Sequence, residues 1–300
     1  MPPSQTHMEA AAQSATAPLN DRERTALLNL LGDSDPAIYT AVRERILSHG
    51  SSVCDWLRPH TLSSDAVVRK HAHAIILHFE SRDADHEFLS FCLRHGEDLD
   101  LETGALKLAA TTYPEINFAA YRAVLDEFAE ELRGRINPDA EARTHLATIN
   151  DYLFNELGFH GNEESYFDPK NSYLNQALDR RTGNPISLCL IYILLARRLQ
   201  LPITGIGLPG HFVCRYQSSA GSIYIDAFDR GRLLTKTDCV QYLIHSAFGL
   251  HEQFLTPVPP RRWLMRICGN LHQSYLHLEQ HDNATRMQGY IMALSRTKND

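Results

Sequence analysis

Apolar positions set two rhythms along this chain. From about residue 21 to about 157, and again from about 264 to 294, they recur three or four residues apart, the signature of one face of a helix. Between about 203 and 234 they alternate, as in strands with one face covered. In "LLGDSDPAIYTAVRERIL", Asp35–Pro36 marks a helix start, and Ile38, Val42 and Ile46 share a face. "TLSSDAVVRKHAHAIIL" repeats that design thirty residues later, with Asp65 in the place of Asp35. Two such copies predict a HEAT-like helical pair, for which a plain helical bundle is the alternative. "LETGALKLAATTYPEINFAAYRAVLDEFAEEL" predicts two helices broken at Tyr113–Pro114, and Asn137–Pro138 a linker to another amphipathic helix ending near Leu157.

The stretch from His160 to Asn184 is polar and rich in turn residues, an uncommonly long loop for a compact domain and so a place to look for function. Beyond it, Asn184 and Pro185 open a helix to about Gln200 that is apolar nearly all round, and so belongs in the core. "ITGIGLP", "HFVCRYQ", "SIYIDAF" and "RLLTK" read as short antiparallel strands turned at Pro209–Gly210, Ala220–Gly221 and Arg230–Gly231. The C-terminal segment reads as a helical hairpin turned near residues 281–283 and is similar to one tetratricopeptide-type pair. These elements predict an α+β fold: a tail over 1–20, a helical region over 21–97, a core of buried helix and antiparallel sheet over 98–257, and a hairpin over 258–300.

Composition narrows the function classes. With 43% hydrophobic and 22% charged residues, the chain is ordinary for a globular protein. A net charge of −7 and the absence of a basic run argue against nucleic acid or an anionic membrane as partner. The longest apolar run, Ile186 to Ala196, is too short to span a bilayer, and the small, polar first residues do not read as a signal peptide. Six cysteines without a CxxC pair predict free thiols and a cytoplasmic location rather than a disulfide framework or zinc site. His71 and His78 share a helix face, but His73 points elsewhere and no carboxylate completes a ligand set, so no metal and no cofactor are expected.

The candidate chemistry lies around the central helix. Its N-terminus directs free amides and partial positive charge at whatever faces it. His211 follows a Pro–Gly turn at a strand start, and Asp226 ends the next strand. If those strands pair, the carboxylate can orient the imidazole, which is the base half of a triad. A surface histidine and a turn aspartate would look the same. "LFNELGFHGN", "YFDPKNSYLNQALDRRTGNPISL", "LARRLQLP", "GIGLPGHFVCRY" and "IDAFDRGRLL" resemble the SirB family of the transglutaminase-like superfamily over roughly residues 98 to 295. The resemblance implies a papain-like core in which a helix tip faces a strand-borne His–Asp pair. In active enzymes of that superfamily a cysteine opens the helix, and counting back roughly seventeen residues from Pro202 puts Pro185 in its slot.

Two residues could replace that cysteine. Ser187 lies in the first turn and would need His211 to take its proton, although a serine there also suits a local backbone bond. Cys189, one turn deeper, would serve if the alignment slips by a turn, although a thiol among apolar residues is ordinarily core. Cys214, three residues past His211 on its strand, should face away from it. By resemblance Glu102, Asn171, Tyr173 and Arg181 join Pro185 as cleft-lining residues, with a buried Glu102–Arg181 ion pair as the structural alternative. Two functions follow: a non-catalytic module binding a peptide or protein partner, or an amide hydrolase or acyltransferase using Ser187 or Cys189 with His211 and Asp226.

Overall fold

The computed structural model describes residues 18–218, 221–246, 249 and 251–296. Most of the expected N-terminal tail and the Ala220 half of one expected turn lie outside these residues. The chain forms two compact units divided at Asp83. In the first, α1 (Asp21–Leu31), α2 (Pro36–Leu47), the short α3 (Cys54–Leu57) and the beginning of α4 (Ala66–Arg94) close over Leu31, Ile46, Leu57 and Ile75, all without exposed surface. Asp35 caps α2 through Ala37 N–H at 2.8 Å, and Asp65 accepts from Val67 N–H at 2.8 Å. The two aligned aspartates therefore play the same local part, supplying an acceptor to amides that a helix start leaves unpaired.

The second unit is built on α9 (Pro185–Arg198), whose residues from Pro185 to Ala196 are all buried. Around it stand α5 (Leu101–Ala110), α6 (Phe118–Arg135), α7 (Ala142–Asn150) and α8 (Leu174–Arg180). A four-stranded antiparallel sheet in chain order covers another side, formed by β3 (Ile203–Ile206), β4 (Val213–Ser218), β5 (Gly221–Asp226) and β6 (Arg232–Leu234). Cys214 faces Ile225 across β4 and β5, and Asp226 faces Arg232 across the turn to β6. A two-residue parallel pair, β1 (His160–Gly161) with β2 (Thr182–Gly183), pins the ends of the polar segment together. The fold is thus α+β with helical terminal regions, as the two apolar rhythms predict.

Two helices escaped the sequence reading. α8 lies inside the polar segment, and α10 (Lys236–His245) follows β6. Both are short and mostly polar outward, so their apolar period spans too few turns to stand out. The closing hairpin, α11 (Pro260–His277) and α12 (His281–Ser295), starts earlier than its first strongly periodic residues suggest. Arg261 at its head is buried and donates to five carbonyls, of Cys92, His95, Ala293, Leu294 and Arg296, at 2.7 to 2.9 Å. One guanidinium thereby satisfies the carbonyl ends of both α4 and α12, where a cation is also favoured by the helix dipoles.

Candidate functional site

The N-terminus of α9 is closed by a web of polar side chains. Asn184 caps it through Ser187 N–H at 3.1 Å, and Ser187 Oγ accepts from Asn184 N–H at 3.1 Å, a reciprocal capping box. The Ser187 hydroxyl donates its single proton to the Asn171 carbonyl at 2.6 Å. Asn184 Nδ2 donates to Ser172 Oγ at 2.7 Å, and Asn171 Nδ2 to the Ser165 carbonyl at 2.8 Å. Asn162 Nδ2 donates to Asn171 Oδ1 at 3.0 Å. Ser187 and Asn171 have no exposed surface. The long polar segment therefore folds over the helix tip and gives its buried donors and acceptors to that tip.

His211 and Asp226 meet at the open end of the β4–β5 hairpin, opposite its turn. Pairing of β4 with β5 brings the two together, and His211 Nε2–H donates to Asp226 Oδ2 at 2.7 Å. Both side chains keep some solvent access, 18% and 15%. Asp226 Oδ1 accepts from Phe228 and Asp229 N–H at 3.1 and 3.2 Å, which fixes the carboxylate at the head of the turn into β6. Among the described residues nothing bonds His211 Nδ1, Ser187 and Cys189 included.

The turn carrying His211 is clamped from two later helices. Arg266 of α11 donates to the carbonyls of Leu208 and His211, the second at 2.6 Å, and Tyr242 of α10 donates to the Pro209 carbonyl at 2.9 Å. Gly210 completes that turn at a φ of 71°, a left-handed conformation that suits glycine. Burial pushes the Arg266 guanidinium below its ordinary pKa, with Tyr242, Tyr166 and Cys189 near enough to oppose the shift. Neither Arg266 nor Tyr242 could be assigned from sequence, because each reaches its target from more than thirty residues away.

Cys189 approaches the pair more nearly than Ser187 does, yet from inside the core. Its thiol points at the Phe212 carbonyl, 3.5 Å away, with the Ala227 amide beside it, next to His211 and Asp226 in the chain. It has no exposed surface, and burial first, then the Cys214 thiol and the Asp226 charge, hold its pKa well above the ordinary value. Cys214 packs back against it, donating weakly to the Cys189 carbonyl at 3.7 Å.

The remaining sequence candidates separate. Glu102 pairs not with Arg181 but with Arg198 at the far end of α9, through two bonds of 2.8 and 3.0 Å, while Asp126 takes Arg198 Nε at 2.6 Å. Arg181 instead lies over the Phe128 and Phe159 rings at 4.7 and 4.8 Å, and burial lowers its pKa. Tyr173 is buried with its hydroxyl 2.8 Å from that of Tyr275 and 2.9 Å from Thr112 Oγ1, a core position. Pro185 is the first residue of α9 and is buried. Glu102, Tyr173, Asn171, Arg181 and Pro185 are all absent from the lining of the hollow of about 220 Å³ at the His–Asp pair. Leu208, Arg232, Asp238, Cys239 and Tyr242 surround it. Burial raises the Cys239 thiol to about 12. Among the described residues, no cluster of histidine, cysteine and carboxylate side chains could hold a metal ion.

Comparison with known proteins agrees with this architecture. Residues 119–269 match the family described as the transglutaminase-like superfamily, second core type. A UPF0162 protein of Xylella fastidiosa (strain Temecula1) is 37% identical over 204 residues, covering 66% of this chain and 73% of that protein. A UPF0162 protein of Pseudomonas aeruginosa is 30% identical over 172 residues, 56% of this chain and 62% of its own length. F-box only protein 21 of Mus musculus is 39% identical over 136 residues, which are 42% of this chain but 21% of that protein. No solved structure matches. Half of the chain, including α9, the whole sheet and the His–Asp pair, falls within the matched region, and the chain belongs to the transglutaminase-like superfamily.

Proposed function

We propose that this chain is a transglutaminase-like fold without a working nucleophile, acting as a non-catalytic module that binds a peptide or protein partner. The observation that carries this reading is the state of Ser187: its one proton is committed to the Asn171 carbonyl at 2.6 Å, out of contact with His211. A hydroxyl becomes a nucleophile only when a base takes that proton. Pro185, in the slot the resemblance assigns to a cysteine, offers no nucleophilic atom. The homologous segment in the mouse F-box protein is a fifth of a longer chain, which suits a portable module. The same reading takes the chain as a cytoplasmic member of the SirB branch, without a nucleic-acid or membrane partner. Its first unit is then a HEAT-like pair and α11–α12 a tetratricopeptide-like pair, both offering further surface to a partner.

One observation favours a second reading. The His–Asp pair has the geometry of a base and its orienting carboxylate, and the Cys189 thiol lies beside the residues that follow each of them. An acyl-transfer enzyme would then use Cys189 rather than Ser187, after an opening that exposes and deprotonates it.

Labelling of the native protein with a fluorophosphonate and, separately, with iodoacetamide, followed by peptide mass spectrometry, decides between the two. The module reading expects no modified serine, and cysteine labelling that His211→Ala leaves unchanged. Rapid modification of Ser187 or Cys189 alone, abolished by His211→Ala, would establish the enzyme instead.

A further inference from the structure

A chain of aromatic rings runs across the face that holds the His–Asp pair. Phe167 meets Tyr166 edge-on at 5.5 Å, Tyr166 meets Phe228 at 6.3 Å, Phe228 meets His211 at 6.4 Å, and His211 meets Tyr242 at 6.0 Å. Tyr166, Phe167 and Tyr242 are each more than 40% exposed, so the strip faces solvent rather than the core. Burial would be the default for rings in such a row, and an exposed apolar row marks a contact surface. Phe228, in the middle of the strip, is closely seated. Gly161 lies flat against Phe228, where an added Cβ would come within 2.6 Å of the ring. The turn after β5 is held from below by Asn150, whose Nδ2 donates to the Gly231 carbonyl at 2.7 Å.

Two hollows lie along the strip, and Phe228 lines the larger of the two. One is the 220 Å³ hollow at His211 and Asp226, and the other, about 420 Å³, lies between residues 160–164 and the turn after β5. Together they present five carboxylates, of Glu163, Glu164, Asp226, Asp229 and Asp238, against two guanidiniums, of Arg230 and Arg232. Arg232 is spent on Asp229 at 3.0 Å, whereas Glu163 and Glu164 carry no ion pair among the described residues. Four ring-to-ring steps of 5.5 to 6.4 Å are the reach of up to about seven residues of extended chain at ~3.3 Å each.

We propose that this strip is the docking track for a basic linear segment of a partner protein, its lysine or arginine side chains lying over the rings and reaching into the two acidic hollows. The proposal rests on the binding-module reading and names the partner's chemistry. Cations are attracted to ring faces and to the negative potential of the hollows, while an acidic segment meets repulsion at the unpaired Glu163 and Glu164.

The test uses the full chain and fluorescence anisotropy with three fluorescein-labelled nonapeptides: alternating lysine and serine, the same with Nε-acetyl-lysine, and the same with glutamate. The lysine peptide should bind at least about tenfold more tightly than the other two, a difference of about 1.4 kcal/mol. Glu163→Lys/Glu164→Lys should weaken it about tenfold, and Phe228→Ala by about threefold to fivefold, the range of one cation–ring contact. If Phe228→Ala does not fold, Tyr166→Ser at an exposed ring takes its place. Glu127→Lys/Glu130→Lys on the exposed face of α6 should change nothing. Equal weakening by both double variants would reduce the effect to overall charge and overturn the proposal, as would absence of lysine-peptide binding. Preference for the glutamate peptide, lost in Phe228→Ala, would overturn the basic choice while leaving a binding module. Failure of the module reading itself is read separately, from electrophile labelling.

Discussion

The tip of α9 and the His211–Asp226 pair are both polar clusters in one superfamily core, and they treat their hydrogen-bonding capacity in opposite ways. At the tip, Asn171, Asn184 and Ser187 are buried and bond one another, the side chains of Asn162 and Ser172, or nearby backbone. At the pair, both side chains are partly exposed, Asp226 divides its oxygens between His211 and the turn, and one imidazole nitrogen is left to solvent or a ligand. A buried polar group must find partners inside the protein, since leaving one unpaired costs about 1–3 kcal/mol. Such a cluster therefore holds a fold together, and the spare valence of the other is what a ligand can use.

Asn171 should be the most sensitive position of the buried web. Asn171→Leu removes the amide that receives Asn162 and donates to Ser165 and Tyr166, leaving those partners unmet in a closed site. It should lower stability by about 3 kcal/mol in urea denaturation, in the range for breaking a buried network. Ser187→Ala removes one donor and one acceptor from the same web and should cost about 1–2 kcal/mol. A neutral Ser187→Ala would deny the tip its sealing role and return the serine to the list of nucleophiles. On the other side, His211→Gln should cost less than about 1 kcal/mol, since a partly hydrated pair contributes little. A large loss there would make His211 structural and remove the contrast.

The sequence made the elements of this contrast legible in unequal measure. Asn184–Pro185 and the apolar run behind them announce α9, and alternation announces the hairpin that brings Asp226 to His211. The capping part of Ser187 was also written locally, three residues from Asn184. The partner of Glu102 was not: Arg181 and Arg198 are both arginines near α9, and only tertiary packing decides which end of the helix α5 meets. Tyr173 and Asn171 were placed at the cleft by resemblance alone, and nothing local distinguishes a residue that lines a hollow from one that plugs the core behind it. Arg266, Tyr242 and Phe228 went unnoticed for the same reason, because their partners lie far off in sequence or in a turn without periodicity.

At the edge of the open site, the charge of one carboxylate can be separated from its shape. Asp238 lines the hollow and completes the capping box that Thr235 begins at the head of α10, and the Thr235 N–H at 2.7 Å, then the Thr235 hydroxyl, hold its carboxyl below its ordinary 3.8. A carboxylate depressed in the folded state stabilises the fold fully above its unfolded pKa, and that contribution is lost as pH falls through the folded value. The stability gap between the native protein and Asp238→Asn should therefore be constant from pH 7 to about 5 and narrow progressively below about pH 4, as read from urea midpoints. A gap unchanged at pH 3 would mean that the shape of the cap, and not its charge, holds α10. The carboxylate would then be free to meet a cationic ligand without cost to the helix it begins.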